Sequence, residues 1–168
     1  MQLFYHPAFD SYHCIYRALL ISAKTATKVI EVERMRIWDF YLVFPPETRQ
    51  ISFPSELSIL KRSDIRPNTY EDVVDPQFIF ARMKAFQLTT YRSLAAFELI
   101  ESSELLHNRI VRTHKTVPST LLSRFDALNE GERYVLSLVA SALNDLPLYG
   151  PKGLKQRTKL LDYKYDVA

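Results

Sequence analysis

The segment from Ile37 to Phe44 limits the possible folds more than any other part of the sequence. It reads IWDFYLVF and runs directly into Pro45 and Pro46. A helix with this sequence is apolar on almost every side, which is typical of a helix at the centre of a core. Because proline breaks a helix interior, the pair must end it. We therefore expect a central helix from about Glu31 to Phe44.

The preceding segment predicts an amphipathic helix that packs on this central helix. Apolar residues recur three and four positions apart after Asp10 or Ser11, either of which caps a helix. The apolar stripe consists of Tyr12, Ile15, Tyr16, Leu19, Leu20 and Ala23. The two helices together predict a helical core at about residues 10–45.

The middle of the chain predicts loops followed by a winged-helix-like part. Residues 46–76 contain four prolines and predict a variable loop region with one short helix near 55–61. Pro76 is expected to open a helix through Gln87, and residues 88–90 to form a turn before a second helix that ends near 100. The β-branched, alternating segment 109–117 predicts a strand returning from a short hairpin. Helix, helix and hairpin in this order predict a winged helix at about 76–118.

The C-terminal part predicts one more helix and a basic tail, at 129–168. Asn129 is expected to cap a helix from Glu130 to Asn144. The chain has only three glycines, all after residue 130, so left-handed turns are scarce and helices should dominate. With 168 residues, the length suits one domain, residues 1–168. The predicted fold class is mainly α with a small β-hairpin (α+β), in a winged-helix-like helical domain.

Cysteine usage and charge indicate the compartment and the class of partner. Cys14 is the single cysteine, so an intramolecular disulfide is impossible and a reducing, cytoplasmic setting is expected. No apolar run approaches the ~20 residues of a membrane span, so no membrane partner is expected. The net charge of +3 is too small for a dedicated nucleic-acid coat.

Near the N-terminus, one cluster contains residue types that can bind a metal or take part in catalysis. It consists of His6, Asp10, His13 and Cys14. His13 and Cys14 are adjacent and point about 100° apart on a helix, so the four cannot converge on one ion without distortion. The first glycine is Gly131, which leaves no phosphate-binding loop upstream. We predict no catalytic residue, no metal site and no cofactor.

Asp39 interrupts the apolar run of the central helix and needs a partner. A buried carboxylate is tolerated only when it is paired or hydrogen-bonded. Arg36, three residues earlier on the same helix, and Arg17 on the preceding helix both qualify. A structural ion pair is the expected role, and binding of a partner protein is the alternative.

Basic residues near the predicted wing and in the tail are candidate contacts to nucleic acid or to a protein partner. They are Arg109, Arg112, Lys115, Lys155 and Arg157. Such cations bind phosphates. Winged helices also bind proteins through the same surface, and clusters of this size occur in ordinary solvated surfaces. The pattern alone leaves all three alternatives open.

Four segments of the sequence resemble one family. They are HPAFDSYHCIYR at 6–17, ERMRIWDFYLVFP at 33–45, VRTHKTVP at 111–118 and GLKQRTKLLDYKYD at 153–166. They are similar to the middle component of bacterial ABC three-component systems, the small protein encoded between an effector and a coiled-coil ATPase in Lamassu-like antiviral defence.

The resemblance implies a function that the residue patterns do not. It implies a non-catalytic adaptor subunit of an anti-phage complex, which links an SMC/Rad50-like ATPase to an effector, often a nuclease, with DNA contacted through the complex. It also makes His6, Asp10, His13, Arg17 and Asp39 a signature for partner binding or structure. The alternative function is a stand-alone winged-helix transcriptional regulator, whose isolated chain would bind DNA in a salt-sensitive manner. A hydrolase that uses Cys14 and a histidine ranks last.

Overall fold

Helices form most of the computed structural model, which describes residues 6–66 and 73–161. The α-helices and strands, in chain order, are α1 (Ser11–Lys24), β1 (Val29–Glu31), α2 (Val32–Val43), α3 (Pro76–Ala96), α4 (Ser102–Leu105), β2 (Arg109–Val111), α5 (Ser119–Phe125), α6 (Glu130–Val139) and α7 (Leu154–Thr158). Three 3-10 helices span Pro7–Phe9, Pro45–Gln50 and Ser55–Leu60. The predicted class, mainly α with a small antiparallel β element, is confirmed.

Helix α2 lies at the centre of the core, as its sequence predicts. Every residue of α2 except Glu33 is buried, and Ile37, Trp38 and Phe40 have no exposed surface. The helix ends at Val43, and its C-cap residue Phe44 is followed directly by the two prolines. Helices α1, α3 and α6 all pack against it. The apolar run therefore organises the fold by contacting three helices at once.

The predicted pair of short helices between Pro76 and Ile100 is wrong. A single helix, α3, runs through the expected turn at 88–90. That segment contains neither glycine nor proline, and its last residue, Thr90, is buried together with Tyr91, which follows it, so packing continues the helix. Its start at Pro76 is as expected, because the Asp75 side chain caps it by accepting from the Phe78 amide.

Strand β2 occurs at the start of the predicted strand but has a different main partner. It pairs antiparallel with β1, with Ile30 opposite Ile110. The local return consists of one isolated bridge between Ile100 and Arg112. Burial explains the pairing, because Ile110 and Ile30 are the buried centres of their strands. The winged-helix arrangement predicted for 76–118 is not confirmed.

The C-terminal region folds back onto the core. Helix α6 has the expected cap, in which Asn129 and Glu132 bond each other's backbone amides, but it ends at Val139, five residues earlier than predicted. The following turns bury Leu143 and Leu148. Part of the predicted basic tail forms α7, whose Leu154 is fully buried. Residues 162–168 of that tail, and 67–72 of the predicted loop region, lie outside the described residues. In the described part of the chain, no helix has the length and apolarity of a membrane span.

Candidate functional site: the junction of three helices

Asp39 of α2 forms a buried ion pair with Arg17 of α1. Arg17 Nε donates to Asp39 Oδ1 at 2.5 Å, and Nη2 donates to Oδ2 at 3.2 Å. The two side chains are 7% and 1% exposed. A third guanidinium nitrogen, Nη1, donates to the Pro7 carbonyl at 3.0 Å. Of the two predicted partners of Asp39, Arg17 therefore forms the ion pair. Its side chain joins α1, α2 and the turn before α1.

Gln87 of α3 extends this pair into a network that the sequence analysis did not predict. Its Nε2 donates to Asp39 Oδ2 at 2.8 Å and to the Arg36 carbonyl at 3.3 Å. Arg36, the other expected partner of Asp39, instead donates from Nε to Gln87 Oε1 at 2.9 Å. Its guanidinium also lies over the Phe80 ring, 4.4 Å from the centroid. A single glutamine in a helical stretch carries no sequence signal for this role.

Burial and neighbouring charges shift the pKa values of the two arginines in this network. Burial lowers the pKa of the Arg17 guanidinium, but the charge and hydrogen bonds of Asp39 outweigh burial, so the pKa is raised overall. Arg17 is therefore cationic throughout the physiological range. Burial lowers the pKa of the Arg36 guanidinium, and the charges of Glu33 and Asp39 offset part of that change. The pair and its amide partner supply hydrogen bonds that compensate for the removal of charge from water.

Cys14 lies beside the same network and is not arranged as a nucleophile. Its Sγ is 3.9 Å from Asp39 Oδ2, and the side chain is fully buried. Burial and the Asp39 charge raise the pKa of the thiol from 9.0 to about 12. Nucleophilic cysteines require the opposite shift, toward the thiolate. Cys14 therefore fills space between α1, α2 and α3.

His6, Asp10 and His13 lie at the start of α1. His6 Nδ1 accepts from the Ala8 amide at 3.1 Å, and its ring stacks on Phe44 with centroids 5.5 Å apart. Asp10 accepts from the His13 amide at 3.2 Å and contacts His13 Nδ1 at 2.7 Å. Burial lowers the pKa of His13, and Asp10 offsets part of that change. Within residues 6–66 and 73–161, no three metal-ligating side chains are placed around one point.

A surface cleft of about 500 Å³ adjoins the network. Its walls include Pro7, His13, Arg17, Pro45, Arg66 and Glu132. The start of α6 closes one side, where a Cβ on Gly131 would lie 2.9 Å from Pro45 Cβ. Glycine therefore permits α6 to pack directly on the prolines that end α2. Of the five predicted signature residues, His13 and Arg17 reach this cleft, whereas Asp39 does not.

The predicted basic contact residues all interact within the protein. Arg109 Nε pairs with Glu104 at 2.6 Å. Arg112 donates to the carbonyls of Leu99 and Lys115 at 2.8 and 3.0 Å, and Lys115 Nζ donates to the Phe97 carbonyl at 2.7 Å. A phosphate would have to compete with these bonds, which weakens the case for a DNA-binding regulator.

The two tail cations are also used internally. The Lys155 side chain is only 8% exposed, and its Nζ lies 3.3 Å from Glu33 Oε2. Arg157 donates to the carbonyls of Lys152 and Ser52 at 2.7 and 2.8 Å. Both residues thereby fix α7 to the rest of the fold.

The family model for the ABC-three component (ABC-3C) system Middle Component 5 matches residues 3–166. The chain belongs to this family. The resemblance drawn from the four sequence segments is therefore confirmed. No curated protein and no solved structure matches the chain. As the middle component of a three-component system, it has an accessory role, and the other components of that system are its partners.

Proposed function

We propose that this middle component is a non-catalytic adaptor that joins an SMC/Rad50-like ATPase to an effector in a Lamassu-like, cytoplasmic anti-phage complex. Membership in the middle-component family supports an accessory role. The observation that carries the proposal is the network of Arg17, Asp39 and Gln87, which joins α1, α2 and α3. Arg17 and Asp39, which lie in two of the segments that resemble the family, thus fix helices relative to one another.

A fixed arrangement of helices suits an adaptor. Two partners are held in a defined geometry only when the surfaces that bind them are themselves held rigidly. The Arg17–Asp39 pair and the contact between Lys155 and Glu33 join different helices and restrict their relative movement. The caps at Asp10 and Asn129 fix the first turns of α1 and α6. The adaptor then transmits a signal by binding one state of a partner better than another.

Co-purification tests this function directly. The three genes of the system are expressed together, with an affinity tag on this chain, and the eluate is analysed by size-exclusion chromatography. We expect one peak that contains the ATPase, the effector and this chain. A monomeric chain that retains neither component would contradict the proposal.

A phage-protection assay tests the role within the system. Removing this gene in frame, while leaving the ATPase and effector genes intact, is expected to abolish protection. Full protection without this chain would show that the ATPase and the effector do not need an adaptor.

A further inference from the structure

Helix α3 has an outer side whose composition differs from that of its inner side. The inner side contributes Gln87 and Thr90 to the helix junction. The outer side is a stripe of exposed residues separated alternately by four and three positions. This stripe consists of Phe78, Arg82, Ala85, Thr89, Arg92 and Ala96. Residues with this spacing follow one line along a helix, as in helices that pack side by side.

The charge on this helix has one sign. Between Pro76 and Phe97 the charged residues are Arg82, Lys84 and Arg92, with no Asp or Glu. No carboxylate among the described residues forms an ion pair with any of these three. In contrast, Arg109 and Lys155 elsewhere in the protein each have a carboxylate partner. The described residues therefore supply no acidic partner for these cations, although the Arg82 guanidinium lies over the Phe9 and Phe78 rings, 4.5 and 5.8 Å from their centroids.

The side chains between these cations are small, and an aromatic ring lies at one end. Ala85, Thr89 and Ala96 allow the backbone of a neighbouring helix to approach closely. Phe78, 59% exposed, supplies an apolar anchor of the kind that is enriched in protein interfaces. The helix has 21 residues and is about 30 Å long, which is enough to contact several turns of another helix.

We propose that the outer side of α3 docks an acidic helical segment of another component of the same system. The inference rests on the proposed function. Carboxylates of the partner helix pair with Arg82 and Arg92, while its small or apolar residues pack on Ala85 and Thr89. An exposed phenylalanine and a row of small residues fit a helix better than a nucleic-acid backbone, and three cations neutralise few phosphates.

Charge reversal tests the assignment in the co-expressed complex. The variant Arg82→Glu/Arg92→Glu is compared with the matched control Lys24→Glu/Lys28→Glu, which makes the same charge change at exposed positions outside α3. We expect the α3 variant to bind one component at least tenfold more weakly, with the control unchanged. If the α3 variant binds as tightly as the control variant, the assignment of α3 is overturned, but the proposed function is not. A wild-type chain that binds neither component would overturn the proposed function as well.

A steric variant separates docking from general electrostatics. Ala85→Trp is compared with Ala23→Trp, since both alanines are exposed on helices. We expect only Ala85→Trp to weaken assembly, again by at least tenfold. Binding of duplex DNA is measured in parallel for all variants. Loss of DNA affinity with assembly intact would overturn the proposal in favour of a nucleic-acid surface.

Discussion

Two ion pairs in this protein have nearly the same shortest distance between nitrogen and oxygen but opposite surroundings. Arg17 and Asp39 join α1 to α2 at 2.5 Å, with side chains 7% and 1% exposed. Arg109 and Glu104 join β2 to α4 at 2.6 Å, with side chains 44% and 32% exposed. Water and salt screen the second pair but have little access to the first. The length of the bond therefore does not indicate how much each pair contributes to the stability of the protein.

The difference shows why Arg17 and Asp39 act on the inside of the molecule. Removing one partner of a buried pair leaves the other charge without solvent, whereas an exposed charge is simply hydrated. Asp39 accepts from Arg17 and Gln87, so three helices depend on one carboxylate. Changes at the buried junction should therefore have larger effects than changes at the exposed pair.

Cys14 reports whether the junction is closed. Raising the pKa of the thiol from 9.0 to about 12 lowers its thiolate population at pH 8 by about a thousandfold. We expect alkylation of the folded protein to be slower than that of the denatured chain by at least this factor. Between pH 9 and 12 the thiol keeps its proton in the folded protein but loses it in the unfolded chain. The free energy of unfolding is therefore expected to fall as the pH rises through that range. Since Cys14 is the single cysteine, mass spectrometry of the labelled chain reads this site alone. Native and denatured rates within tenfold of each other would contradict a closed junction.

Asp39→Asn removes the charge that neutralises Arg17 while retaining the side-chain volume. We expect the free energy of unfolding to fall by about 3–5 kcal/mol. Urea denaturation monitored by circular dichroism measures the change. Glu98→Gln, at a side chain 83% exposed, is the control and should remain within about 0.5 kcal/mol of wild type. Equal effects of the two substitutions would show that the Asp39 environment is not special.

Gln87→Met tests the side-chain amide that links α3 to Asp39. Methionine has a similar length but cannot donate to Asp39 or accept from Arg36. Because Arg17 still neutralises Asp39, we expect a smaller loss of about 2 kcal/mol. The same denaturation experiment measures it. A loss as large as that of Asp39→Asn would mean that the amide, rather than the ion pair, dominates the junction.

Arg109→Ala removes the exposed pair and should have the smallest effect. The residual Glu104 carboxylate is hydrated once its partner is removed. We expect the denaturation midpoint to stay within experimental error of wild type, and any difference to disappear in high salt. A clear destabilisation that persists in high salt would show that β2 depends on this pair more than its exposure suggests.

Features determined by neighbouring residues were predictable from the sequence, whereas those determined by distant contacts were not. The run from Ile37 to Phe44 and its two prolines place α2 in the core because burial and helix termination are local rules. The need of Asp39 for a partner follows from the same run. The choice of Arg17 over Arg36 does not, because it depends on how α1 crosses α2.

The features that local sequence rules did not predict involve long-range contacts in each case. Strand β2 pairs with β1, some eighty residues earlier, so local alternation could not identify its partner. The turn predicted at 88–90 does not form, because packing against α1 and α2 buries the inner side of α3 at this point. Lys155 resembles a surface cation in the sequence but lies against Glu33 of α2. No local rule anticipates such a contact.

The central claim is that Arg17 and Asp39 position helices and do not contact a partner. The double variant Arg17→Met/Asp39→Leu tests it most directly, since apolar replacement of a whole buried pair is often neutral for stability. Its binding to the other co-expressed components of the system is measured once circular dichroism has established that it is folded. The account predicts that the folded double variant assembles with wild-type affinity. A folded variant that fails to assemble would contradict it.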